Sequence, residues 1–369
     1  IWLDGEGEPR VGGIYLFDAP DALLQGGGIE YNLASAAGSS GHGGGLAIVD
    51  SPRTRVSDLG FIANSASTAW SPVGLTVASG RGGALSITGS DDVGIAASVN
   101  FLQNQAALHG QGTGGGLYAE AGTGLRIDGA LFQENWSIVY PFQFEGGQSG
   151  GGAIALLSTE DSQITATLTD NRVAVFNAYC QDLYGGALFG VGLENFRLAG
   201  GQIIGNSGGA CSGAARPVAH GAVSLVSGSR NVTITGNTFT GNVTELGDYV
   251  GLGGALYIEG ATVVGIHRNE FLHNAAGASN GVGGAVVIEH SQAVQIDDNR
   301  MLANRAASTD GAEFALGGAV GANTTNDLHI VNNVLAFNAA NAGGGLLLVG
   351  AENLPAGTVS IVNNTLYAN

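Results

Sequence analysis

Lysine is absent from this 369-residue chain: all 12 basic residues are Arg, against 30 Asp and Glu, for a formal net charge of -18. Nucleic acid and anionic membrane surfaces both need clustered cations to displace counterions, so this charge pattern excludes them as partners. Cysteine is scarce too. Cys180 and Cys211 are the only two, too few for a disulfide scaffold and without the CxxC spacing of a zinc site; one bridge between them stays open on spacing alone. The 7 Pro beside 65 Gly, with no glycine at every third position, exclude collagen, and the frequent Val, Ile and Leu exclude a disordered chain. No apolar run approaches the ~20 residues that span a bilayer, so no membrane insertion by this segment is expected. Ile1 opens in folded-looking sequence without a charged region and apolar stretch, and the expectation is that any export signal has been removed or lies outside this chain. The 7 His show no HExxH or HxH spacing, so no metal centre and no cofactor are expected.

The chain does carry an internal repeat. Two or three Gly followed by alternating apolar residues recur as GGGLAIV at Gly43, GGALSIT at Gly82, GGGLYAE at Gly114, GGAIALL at Gly151, HGAVSLV at His220, GGALYIE at Gly253 and GGAVVIE at Gly283. Between them lie blocks closing on Asn: FIAN at Asn64, FLQN at Asn104, FQEN at Asn135, FTGN at Asn242, FLHN at Asn274 and MLAN at Asn304, with looser copies ending at Asn32, Asn177, Asn206, Asn338 and Asn369. The mean period of about 34 residues belongs to solenoids and repeat arrays. Helical repeats share that period, so the local pattern decides. Leu256 to Glu259 and Val232 to Ile234 alternate with period two, a strand signature, and the Gly pairs and Asn-rich joints favour tight turns.

Each unit therefore reads as three short strands, two turns and a variable loop, one coil of a parallel β-solenoid. About eleven coils stacked at about 4.8 Å make an all-β rod near 50 Å long. Leu256, Ile258, Val264, Ile266 and Phe271 read as inward, matched one period on by Val286, Ile288, Val294, Ile296 and Met301. Asn237, Asn269, Asn299, Asn333 and Asn364 each precede the closing Asn of their unit by five residues. Stacked at one turn they would form a structural ladder of side-chain amides bonding backbone that the bend leaves unpaired. The whole chain reads as one domain, with irregular coils over 1–42, regular repeats over 43–369, and no polar cap after the last coil; that uncapped end raises head-to-tail self-association as an alternative.

From Gly43 onward the paired motifs, GGA with Ile, Leu or Val and FxxN, resemble the polymorphic outer membrane protein repeats of autotransporter-like surface proteins and adhesins. The resemblance implies a right-handed parallel β-helix at the outer surface of a bacterial cell. Phe is replaced in the units ending at Asn177, Asn206, Asn304, Asn338 and Asn369, and no membrane barrel follows, so the match speaks to fold and location more than to an adhesive receptor.

In such a fold the outward residues of successive strands form columns. The sixth residue after the first Gly gives Thr88, Glu120, Val226, Glu259, Glu289 and Asn323. Glu259 and Glu289 fall side by side, where two carboxylates can share a proton, hold Ca²⁺, or act as acid and nucleophile on a glycoside with His290 assisting; the alternative is a pair of solvated surface residues. A second column holds Arg126, Arg197, Thr233, Gln295 and His329. Between Asn135 and Gly151 the loop carries Trp136, Tyr140, Phe142 and Phe144, and the next coils bring Tyr179, Cys180, Tyr184 and Cys211 to the same corner. These read either as an aromatic platform for sugar rings or a partner, or as a cover folded on the rod. Two functions remain in play: a non-enzymatic surface module presenting loops to glycan or protein, and a secreted polysaccharide hydrolase or lyase. The absence of Lys weakens the second, because lyases neutralise uronates with cations.

Overall fold

The computed structural model describes residues 11–35, 40–67, 79–107, 111–139, 149–175, 182–208, 218–244, 250–277, 280–306, 315–350 and 358–369. Among them there is no helix, and the strands stack into a parallel β-solenoid. The first face is a sheet eleven strands deep, running in unbroken coil order from Ile14–Phe17 to Leu346–Val349. Its register is strict: Leu256, Tyr257, Ile258 and Glu259 lie opposite Val286, Val287, Ile288 and Glu289. The second face stacks strands such as Thr262–His267 and Glu270–Leu272. The third stacks pairs of two to four residues, such as Ser65–Ser67 and Ser79–Arg81. Coil length varies between the strands of this third pair, Ser67 to Ser79 against Ala276 to Asn280, and also between the first and second faces, Thr88 to Gly94 against Glu259 to Thr262. Residues 14–35, read as irregular, already make strands paired in register with the following coil, Ile14 on Leu46 and Ile29 on Phe61.

Period-two alternation explains the core. Leu256, Ile258, Val264, Ile266 and Phe271, with Val286, Ile288, Val294, Ile296 and Met301, are all within 2% of full burial, in one apolar cluster that runs the length of the rod. The Phe of the FxxN blocks stack in a column, with ring centroids 4.9 Å apart for Phe61 and Phe101, 4.3 Å for Phe101 and Phe132, and 4.7 Å for Phe239 and Phe271. Rungs at strand spacing bring flat rings into offset contact, which is why Phe recurs there.

The glycine pairs have two separate causes. Gly253 turns the chain at φ +64, and a Cβ there would overlap the Leu256 carbonyl oxygen; Gly254 has an ordinary φ, but its Cβ would overlap the Gly284 carbonyl oxygen of the next coil. The third residue, Ala255, is wholly buried with room for its methyl group. Gly254→Ala is therefore expected to cost several times more than Gly260→Ala. Gly260 has φ +63 but meets nothing nearer than 3.9 Å, so it should lose only about 1 kcal/mol for left-handed backbone. Urea unfolding of the two variants checks the order, and equal midpoints would refute it.

The closing Asn residues form a ladder of their own, running Asn32, Asn64, Asn104, Asn135, Asn171, Asn206, Asn242, Asn274, Asn304, Asn338 and Asn369. At Asn104, for example, the backbone N–H and Nδ2 both donate to Asn135 Oδ1 at 3.0 Å, and Nδ2 also donates to the Phe61 carbonyl at 2.9 Å. The preceding residue, Gln103, bends the chain at φ 56, and the amide bonds backbone groups at that bend. The shorter run Asn237, Asn269, Asn299, Asn333 and Asn364 repeats the pattern at the previous turn. One unit boundary differs from the sequence reading. The Asn of that coil is Asn171, with Leu168 in the Phe column opposite Phe132; Asn177 lies outside the described residues. A substituted Phe hid the motif.

Candidate functional site

Outside the core, several residues that precede a Gly pair pack against the outward side chains of the first face. Tyr118, Ala155, Phe189, Val226, Tyr257 and Val287 form a second buried apolar cluster, with Tyr184, Leu252 and Val282 against it. His220 stands in this corner at the position that Leu252 holds in the next coil, and its coil runs one residue shorter from there to the first face, where Val223 pairs with Leu256. The rings then stack along the rod, Phe189 and Tyr184 at 5.3 Å, Tyr184 and His220 at 4.3 Å and 3°, His220 and Tyr257 at 4.3 Å and 49°. His220 Nδ1 lies 3.1 Å from the Leu183 carbonyl. A carbonyl only accepts, so Nδ1 carries the proton. Burial lowers the His220 pKa to about 4, against the raising influence of the Leu183 bond and Asp182, and pushes the Tyr184 phenol up to about 12.

At the mouth of the corner stand the two carboxylates read from the sequence. Glu259 and Glu289 are direct neighbours in the register, and the Tyr257 hydroxyl lies 3.1 Å from Glu259 Oε2 and 3.0 Å from Glu289 Oε2. The hydroxyl has one proton, so it donates to one carboxylate at a time. Burial, then the two carboxylates, raises the Tyr257 pKa well above the ordinary phenol range. His290 is exposed, with Nδ1 4.0 Å from Glu259 Oε1. The same unit recurs earlier in the rod: Tyr118 donates to Glu120 at 2.8 Å, and Arg81 reaches the same carboxylate oxygen at 3.1 Å while lying 5.3 Å from the centre of the Tyr118 ring. The shared pattern Tyr-x-Glu after GGGL or GGAL was a legible signal for both tyrosines, which the reading of Glu columns passed over. Among the described residues no group of three His, Cys, Asp or Glu side chains converges as a metal site.

The aromatic platform is revised in part. Trp136 opens a strand, Trp136–Val139, instead of standing in a loop; it pairs with Gln105 and Arg172 on the neighbouring coils and is 40% exposed. Tyr184 also belongs to a strand, Leu183–Tyr184, and packs into the corner on Phe189 and His220. Backbone pairing with adjacent coils claims both residues, a constraint that no local pattern displays. Tyr140, Phe142, Phe144, Tyr179, Cys180 and Cys211 lie outside the described residues. The second column is in line, with Gln163 between Arg126 and Arg197, then Thr233, Gly265, Gln295 and His329.

Fold and surface together define an all-β parallel solenoid, cored by stacked aliphatic and Phe rungs and laced by Asn ladders. No protein-family model matches the chain, and comparison with curated proteins finds no match. Among solved structures, the A-module of a mannuronan C-5 epimerase from Azotobacter vinelandii is similar at a TM-score of 0.34 and 13% identity, over 96% of this chain and 91% of that one. At that level the likeness carries no argument about site or activity.

Proposed function

We propose that this chain is an extracellular or cell-surface structural module, a stiff solenoid that presents surface rows and inter-strand segments to glycan or protein without turning a substrate over. The observation that carries this reading is the Tyr257 hydroxyl. It sits between Glu259 and Glu289, within 3.1 Å of both, in the gap where a glycosidic bond would have to lie for the pair to act as acid and nucleophile. The net charge of -18 without Lys fits a soluble outer-surface protein and leaves little to neutralise the uronates that a lyase processes.

The test is incubation with neutral and acidic polysaccharides, following new reducing ends, unsaturated-product absorbance and retention of the protein on each glycan. Retention without product is the expected result. Product that disappears in Glu259→Gln or Glu289→Gln would establish an enzyme in its place.

A further inference from the structure

The second face carries a row whose chemistry differs from the rest of this acidic surface. In successive coils its outward positions are Arg126, Gln163, Arg197, Thr233, Gly265, Gln295 and His329. No carboxylate stands in it, and every position except Thr233 and Gly265 is exposed. The gap at Gly265 is filled from the side. Its Cβ would overlap Nε2 of His267, so the imidazole lies over the glycine, between Thr233 and Gln295. Asp297, in the next coil, pairs with His267 Nδ1. That carboxylate fixes the ring and leaves Nε2 as the atom offered to a ligand, while its own charge is engaged. Neither Arg126, Arg197 nor His329 makes an ion pair among the described residues, whereas Arg53, Arg81 and Arg300 each do.

We propose that this row binds an acidic polysaccharide extended along the solenoid axis, with Arg197 and Arg126 taking uronate carboxylates and Thr233, His267 Nε2, Gln295 and His329 taking hydroxyls. Three features select that ligand. Rungs repeat at about 4.8 Å, a distance comparable to one sugar ring, so a linear polymer meets an equivalent position at each coil. Guanidinium groups match carboxylates in two-point geometry. A chain of net charge -18 repels polyanions in general, so any that bind must find a local cationic row. The proposal rests on the display reading only in taking glycan as the partner.

The probe is a polygalacturonate oligomer, with its methyl ester as the neutral counterpart of the same shape, titrated calorimetrically against the full chain. The native protein is expected to bind the acid form at least about tenfold more tightly than the ester, and the double variant Arg126→Gln/Arg197→Gln to lose that preference, each decade corresponding to about 1.4 kcal/mol. Gly265→Ala, which displaces the His267 ring, should weaken both forms, with the thermal midpoint reporting that the rod stays folded. Equal binding of acid and ester by the native protein would overturn the acidic specificity. Acid binding unchanged in the double variant would place the ligand elsewhere, removing this row while leaving the display reading standing; cleavage of the oligomer would instead remove the display reading.

Discussion

Asn206→Ala is expected to lower local stability by about 4 kcal/mol or more, because a single truncation breaks hydrogen bonds to two neighbouring coils. Asn206 is wholly buried. Its Oδ1 accepts from the backbone N–H and the Nδ2 of Asn171, both at 3.0 Å. Its Nδ2 donates to the Leu168 carbonyl at 2.7 Å and to Asn242 Oδ1 at 3.0 Å. Removing the amide leaves a buried backbone donor and a buried carbonyl bond end without partners, each costing about 1–3 kcal/mol. Asn206→Asp separates hydrogen bonding from volume. It keeps shape and acceptor but loses both donated bonds and buries a charge, so it is expected to be at least as damaging. Solenoid coils unfold by neighbour-dependent steps, so the proper readout is local amide exchange beside the global midpoint. The Asn171 amide should lose roughly three decades of protection, at 1.36 kcal/mol each. Native-like protection of that amide in Asn206→Ala, which removes its acceptor, would show that the ladder adds nothing to the stability of the coil.

Acidification is expected to loosen the rod through His220, and the sign follows from burial. The imidazole is 4% exposed, between Tyr184 and Tyr257, and burial brings its pKa down to about 4 from the ordinary 6.5. In the unfolded chain it takes up a proton near the higher value. Between the two the unfolded state therefore holds more protons, and stability drops as pH falls. The stability is intact above about pH 6.5 and the loss is complete below about pH 4, amounting to about 3 kcal/mol. The groups facing the ring bear on this: Asp182 favours the charged form, while the two phenols are held neutral by burial. Carboxylate titration adds an acid limb of its own, so the measurement is a difference. Unfolding midpoints of the native protein and His220→Leu, taken from pH 7.5 to pH 4, should converge or cross as the native protein loses its advantage. Parallel curves would mean that the ring escapes to solvent on protonation. Leucine is the apt replacement because Leu252 holds the paired position in the next coil.

The inward set and the lateral adjacency of Glu259 and Glu289 were legible in the sequence because both depend only on period-two alternation and on coil-to-coil register. The same register aligned Arg126, Arg197, Thr233, Gln295 and His329. The ladder Asn237 to Asn364 was visible as a recurring offset, but the longer ladder was misassigned at one rung, where Leu168 replaces Phe and Asn171 follows a three-residue spacing without the aromatic marker. Trp136 and Tyr184 read as loop residues in the sequence because each sits at the end of its strand, Trp136–Val139 and Leu183–Tyr184, next to a segment without alternation.

By itself, then, the sequence determined the class of fold and the direction of most side chains. Alternation and Gly or Asn punctuation are local properties that repeat in every unit, and stacking equal units leaves one way to bury the alternate residues. Only the tertiary structure decided which polar groups meet across the coils. Stacking of successive coils sets His220 against Tyr184 and Tyr257, the Tyr257 hydroxyl reaches two carboxylates at once, and the missing side chain of Gly265 lets His267 lie down between Thr233 and Gln295. Each depends on the closure of neighbouring coils to within an ångström or so, and no periodicity carries that information.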